Sequence, residues 1–274
     1  MTDKAFLDKQ QDALVSRYVV EVTIPLLADN PKLVEQGPIV LGTGTLFAHG
    51  GRHFIVTAAH ILKRDQSDPA SEDIDLEAIA FPSGRSDATM LTLGSFVVHR
   101  PESTSYIDVV VLELKDEESI AALKAGWRFL GFDAVADFPF NARFILSGFP
   151  LEGASWDGHN VGQNFLMLST DPLHYIPEVD FPEPSVDRFF YLERQGQMLD
   201  GTLRDIPRLQ GLSGASLWAY SEPGGFWSPS AALKVVAVQS SAKHGDWIRC
   251  VDWAAVRYIF NKPELGFNDP PFRE

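Results

Sequence analysis

From Tyr18 onward the chain alternates short apolar runs with Gly, Pro, Asp or Asn, each run about one strand long. "YVVEVTIPLL", "IVLGTGTLFA", "RHFIVTAA", "LEAIAF", "MLTLGSFVV" and "IDVVVLEL" predict six strands by about residue 114. "DEESIAALKAGWRFL" then opens on acids and continues with helix formers, which predicts a short helix within a linker. A second block follows: "ARFILSGFPL", "FLMLST", "DRFFYLER", "ASLWAY", "LKVVAVQSS" and "DWIRCVD" predict six more strands, and "WAAVRYIF" a C-terminal helix. Before residue 18, Phe6, Leu7, Ala13, Leu14 and Val15 fall partly on one face of a short helix.

The expected organisation is an N-terminal helical extension (1–17), a first β-barrel (18–116), a linker (117–140), a second β-barrel (141–251), and a C-terminal helix with its tail (252–274). The fold class is all-β, two six-stranded antiparallel barrels. Composition agrees with this: 18 prolines and 21 glycines are spread along the 274 residues, as many short strands joined by turns require. The long segment "DPLHYIPEVDFPEPSVD" reads as an acidic, proline-rich surface loop.

Charge and cysteine content narrow the function classes. A net charge of −14, with no basic stripe, repels phosphate backbones, so nucleic acid is not an expected partner. The N-terminus lacks a hydrophobic signal core and no apolar run is long enough to span a bilayer; neither export nor membrane insertion is expected. One cysteine, Cys250, allows no internal disulfide and points to a reducing, cytoplasmic compartment.

Three segments carry chemistry. "FIVTAAHIL" ends a strand in small residues that can turn tightly and present His60 at a rim. In "IDVVVLEL", Asp108 heads a buried strand, where it either caps the strand start or accepts the Nδ1–H of His60. "LQGLSGAS" is either a small-residue turn or the seat of a nucleophile, Ser213, whose own N–H and that of Gly211 would face a developing oxyanion. His49 and His53 lie near His60, but Cys or carboxylate ligands at matching spacing are missing, so no metal site is read. Cys250, inside an apparent strand, reads as a small core residue.

The order His60, Asp108, Ser213, with these local contexts, resembles the trypsin/chymotrypsin-like serine peptidases across roughly residues 18–260. "ILSGFPL" is similar to the start of the second barrel in their Deg/HtrA-like branch, although no PDZ-like domain fits in the remaining length. The resemblance implies a triad in the cleft between two barrels, an acyl-enzyme route, a protein or peptide substrate and no cofactor. It implies a specificity pocket lined by Pro207, Gln210, Gln239, Ser240 and Ser241. Pro207 stands where trypsin-like members carry their pocket-floor acid, so the expected residue before the scissile bond is small or apolar. Leu212 replaces the aspartate that pairs with a cleaved N-terminus in secreted members, and Ala215-Ser216 replaces the common Gly-Pro. Control by an activating protein partner is therefore one expectation, and a protease-fold binding module with little or no activity is the alternative.

Overall fold

The computed structural model describes residues 3–28, 38–62, 78–85, 89–101, 106–139, 142–152, 154–156, 161–162, 164–197, 203–222, 224 and 226–267. Helix α1 (Asp3–Val22) leads into the first group of strands: β1 (Thr23–Ala28), β2 (Ile39–His49), β3 (Arg52–Thr57), β4 (Ile79–Pro82), β5 (Met90–Thr92), β6 (Phe96–His99) and β7 (Val110–Leu114). Helix α2 (Glu117–Gly126) follows, capped by the Asp116 side chain, which accepts from the Ser119 N–H. The second group comprises β8 (Arg143–Gly148), β9 (Ser155–Trp156), β10 (Val161–Gly162), β11 (Leu166–Thr170), β12 (Asp187–Tyr191), β13 (Gln195–Gln197), β14 (Leu203–Asp205) and β15 (Ser216–Tyr220). It ends with α3 (Pro229–Ala232), β16 (Leu233–Lys243), β17 (Trp247–Asp252) and α4 (Trp253–Phe260).

Among the described residues the strands form a seven-stranded antiparallel sheet, in the order β5-β4-β1-β2-β3-β7-β6, and a six-stranded one, β11-β8-β15-β16-β17-β12. Each curls into a half-barrel, giving the double-barrel architecture that the strand pattern predicts. The six runs of the second block map onto the six strands of the second sheet, and β9–β10 and β13–β14 add two short ribbons. In the first half the expected six strands become seven. "MLTLGSFVV" breaks at Gly94, whose φ of +67° ends β5 and whose missing Cβ leaves room for Asp116.

The N-terminal helix is also longer than expected, taking Tyr18–Val22 from the predicted first strand. Val15, Tyr18, Val19 and Val22, spaced i, i+3, i+4, i+7, are all buried, and Tyr18 meets Trp218 edge-on. That burial outweighs the β-type composition of "YVVEV". Ala13 and Leu14 are exposed, while the Phe6 and Leu7 side chains lie outside the described residues. Among the described residues no helix is long and apolar enough to cross a membrane.

Three cores explain why so many strands are apolar on both faces. In β7, Val110 and Leu112 fill the first barrel, while Val111 faces a central core shared with Phe47, Phe54, Trp218 and Trp253. The same alternation in β15 points Leu217 and Ala219 into the second barrel and Trp218 into the centre. Helix α4 closes the central core with Val256, Ile259 and Phe260. This shared core packs the two barrels against each other.

Glu113 is the most deeply buried of three buried carboxylates among the described residues, with Asp187 and Asp252. Glu113 of β7 receives hydrogen bonds from Arg52 Nε (2.7 Å), His99 Nε2 (3.1 Å) and the Lys115 ammonium. Burial alone would raise its pKa, but these three cationic or N–H donors outweigh it and hold the carboxyl at about 2, below its ordinary 4.5. A depressed carboxylate stabilises the fold fully above its unfolded pKa and loses that contribution as pH falls from about 4.5 towards 2. Glu113→Gln is expected to cost about 3 kcal/mol at neutral pH and to flatten the stability profile in that acid window. Urea denaturation across pH checks both; an unchanged midpoint would contradict this account.

Candidate active site

Strand β3 ends at Thr57, and the buried residues Ala58 and Ala59 turn the chain into a 3-10 turn, Ala59–Leu62. Ile61 and Leu62 plug the first barrel's core, which leaves His60 pointing outward into the cleft. Asp108 precedes β7 and is held in place by the fully buried Val109 and Val110. Its Oδ1 accepts from the His60 backbone N–H (2.8 Å) and its Oδ2 faces His60 Nδ1 at 2.6 Å. A carboxylate can only accept, so Nδ1 carries the proton of the neutral ring and Nε2 presents its lone pair. That lone pair lies 2.9 Å from Ser213 Oγ. The structure therefore brings together all three residues singled out in the sequence, from both barrels.

The turn carrying Ser213 is shaped by two glycines and by a contact across the barrels. Gly211 has φ +89° and Gly214 φ +90°, a region that disfavours side chains. Leu212 is fully buried in the second barrel's core, so this residue anchors the turn by apolar packing, and Ala215 N–H donates to its carbonyl (2.7 Å). Ser216, in place of proline, pairs its hydroxyl with Thr45 Oγ1 at 2.6 Å.

Thr43 on β2 is the residue that sequence reasoning missed. Its N–H donates to Ser213 O (2.8 Å), its hydroxyl donates to Gly211 O (2.8 Å), and the same oxygen accepts from Phe149 N–H (3.0 Å). The Gln210 carbonyl is likewise occupied, by Leu151 N–H at 2.6 Å. With both carbonyls held, the N–H groups of Gly211 and Ser213 have no acceptor among the described residues. Two unused donors beside a serine hydroxyl can stabilise a developing oxyanion. The glycine-punctuated "GTGT" run was a signal for close backbone approach, since a Cβ on Gly42 would sit 2.6 Å from Ser213 O. Thr43→Val is expected to lower kcat roughly tenfold with less effect on KM, and Thr43→Ser to restore it. A valine variant with unchanged kcat would contradict that role.

A cavity of about 340 Å³ opens beside His60 and Ser213, and Gln210, Gln239, Ser240 and Ser241 are among the residues lining it. Pro207 is not. The chain there is anchored elsewhere: Ile206 is buried in the second barrel's core and Arg208 N–H donates to the Glu152 carboxylate (2.9 Å), so Arg208 and Leu209 reach the cavity instead. His244 also lines it. Asp205 is exposed and accepts from Gln195 Nε2 at 2.8 Å, as a surface acid.

The remaining candidates have packing roles. His49 packs against the Phe132 and Phe267 rings, and His53 against Phe129. Among the described residues no group of three His, Cys, Asp or Glu side chains comes close enough to hold a metal. Cys250 is fully buried, and burial, with Asp187 nearby, pushes its thiol well above the ordinary value, away from the reactive thiolate.

No protein-family model matches the chain, and no curated protein matches it in sequence. Among solved structures it is similar to a thermostable serine protease from an extremophilic microorganism, at 10% identity over 87% of this chain and 95% of that one, with a TM-score of 0.47. A protease from M. tuberculosis in its active form shares 12% identity over 96% of this chain and 88% of that one (TM-score 0.46). The serine protease domain of the Sesbania mosaic virus polyprotein shares 12% over 85% and 90% (TM-score 0.42). At TM-scores below 0.5 these likenesses carry no argument about chemistry, which has to come from the chain's own geometry.

Proposed function

We propose that the protein is a serine endopeptidase of the trypsin-like type, hydrolysing peptide bonds through Ser213, His60 and Asp108. The observation that carries this reading is the unbroken chain from Asp108 Oδ2 through the His60 ring to Ser213 Oγ, at 2.6 and 2.9 Å, beside two N–H donors that have no acceptor among the described residues. Ser213 Oγ attacks the scissile carbonyl while His60 Nε2 takes its proton, and the carbonyl oxygen becomes an oxyanion facing the Gly211 and Ser213 N–H groups. The imidazolium, stabilised by Asp108, then protonates the leaving amine as the C–N bond breaks, leaving an acyl-enzyme. Water repeats the cycle: His60 takes its proton, the acyl group leaves as a carboxylic acid, and Ser213 regains its hydrogen.

A latent arrangement would turn the Gln210–Gly211 peptide, which carries the Gly211 N–H, so that its carbonyl faced the cleft. Instead Leu151 N–H holds the Gln210 carbonyl (2.6 Å) and the Thr43 hydroxyl holds the Gly211 carbonyl (2.8 Å), which favours catalysis over a binding-only role. Within the family, Ile145–Leu151 favours the Deg/HtrA-like branch. The substrate is a protein or peptide, in a reducing compartment. The purified chain is expected to cleave denatured casein, and phenylmethanesulfonyl fluoride to stop it. Cleavage that persists in the sulfonyl fluoride, or none until a partner protein is added, would go against a self-assembled serine site.

A further inference from the structure

Gln239 sits where β16 passes the nucleophile turn. Its N–H donates to Ala215 O and its carbonyl accepts from Gly214 N–H, both at 2.8 Å, so its backbone is fully used and held against the turn. Its side chain is a different matter. The residue is only 2% exposed, yet Oε1 is buried with no hydrogen-bond partner among the described residues. Ala215, Leu212 and the cross-strand neighbour Cys250 belong to the apolar core alongside it and offer no strong donor. The next residue, Ser240, donates its hydroxyl to Arg249 O (3.2 Å), away from Gln239. Burying a carboxamide oxygen without a donor is unfavourable, and folded proteins rarely tolerate it without a reason. Gln239 is also one of the residues that line the cavity beside Ser213, where a substrate side chain would enter.

We propose that Gln239 determines specificity by selecting substrates with a side-chain carboxamide, Gln or Asn, on the acyl side of the scissile bond (P1). The inference rests on the peptidase reading above. A P1 carboxamide donates an N–H to Gln239 Oε1 and accepts in return from Gln239 Nε2, a reciprocal pair that works in either orientation of the Gln239 amide. Other P1 side chains serve less well. An apolar P1, the expectation from Pro207, leaves Oε1 unpaired inside the closed complex. A P1 carboxylate can accept from Gln239 Nε2 and is drawn by Arg208, but it brings no donor for Oε1, so half of the reciprocal pair is lost. A P1 Lys or Arg brings donors but sets a positive charge beside Arg208, which also lines the cavity.

The test uses four internally quenched peptides, identical except for Gln, Glu, Leu or Lys at P1, with kcat/KM measured for each. The wild-type chain is expected to prefer Gln over Leu by about tenfold or more. Gln239→Leu should invert that ratio, and Gln239→Glu should move the preference from Gln towards Lys. A wild-type enzyme that prefers Leu, Glu or Lys, or treats the four alike, overturns the proposal, and so does an unchanged Gln/Leu ratio in Gln239→Leu. The wild-type comparison decides the matter even where a variant fails to fold. Labelling of the wild-type chain by a fluorophosphonate, which has no P1 residue, keeps the two readings apart. A chain that labels but lacks the Gln preference sinks only the specificity, whereas one that does not label sinks the peptidase reading beneath it.

Discussion

Ser213→Ala is expected to lower kcat by about 10⁴-fold or more, with little change in thermal stability. Ser213 Oγ is positioned both on the His60 lone pair, at 2.9 Å, and beside the Gly211 and Ser213 N–H groups, which have no acceptor among the described residues. Without it no acyl-enzyme forms, and residual turnover comes from water polarised in the same pocket. The hydroxyl's hydrogen-bond partner is the half-exposed His60 ring, so its removal leaves no deeply buried group unpaired. His60→Ala and Asp108→Asn belong to the same unit, and combining either with Ser213→Ala should add almost nothing further. Steady-state kinetics on a single peptide substrate measure all of these. A Ser213→Ala enzyme retaining a tenth of its kcat would remove the serine from the mechanism.

Gly214→Ala should be worse for the molecule as a whole. A Cβ there would lie 2.1 Å from both Thr43 O and Thr57 Oγ1 and 2.9 Å from Ala58 N, at a φ of +90°. These neighbours are buried backbone or a hydroxyl already committed to Thr43 O at 2.7 Å, so none can move aside cheaply. The two barrels would have to separate locally, which breaks the Thr43 contacts to Ser213 and Gly211 and displaces the segment leading to His60. A loss of more than about 3 kcal/mol is expected, together with loss of covalent labelling. Thermal unfolding and labelling, measured on the same sample, should fall together. A stable Gly214→Ala protein with full activity would mean that the turn is held in some other way.

How much of this was legible in the sequence depended on how local the cause was. The second sheet could be read strand by strand because each run alternates between two cores, as Leu217, Trp218 and Ala219 do. Tyr18–Val22 was misread as strand because its helical face becomes apparent only when Val15 is included and Trp218, 200 residues away in the chain, is in place to cover it. Gly94 was visible as a glycine, but its role as a break depends on Asp116 packing where a Cβ would be.

The site divides in the same way. His60, Asp108 and Ser213 announce themselves by residue type and neighbours, because each must be presented by a tight turn or a strand mouth. Thr43 does not, since its function is a contact between strands of different barrels and any small polar residue in β2 would have looked alike in sequence. Pro207 was implied as a pocket residue by the resemblance alone; it is not among the residues lining the cavity, and its neighbour Arg208 is tied to Glu152. Gln239 could be named from the resemblance as a pocket residue, but that its Oε1 has no partner among the described residues is a fact about its surroundings, which only the folded chain supplies.

The central claim is that this chain by itself assembles a nucleophilic serine, and one measurement bears on it directly. The purified protein, with no partner added, is treated with a fluorophosphonate and digested, and the adduct is located by mass spectrometry. The account predicts a single adduct on Ser213, absent from His60→Ala. No adduct on the folded wild-type chain, or one carried by another residue, would contradict it.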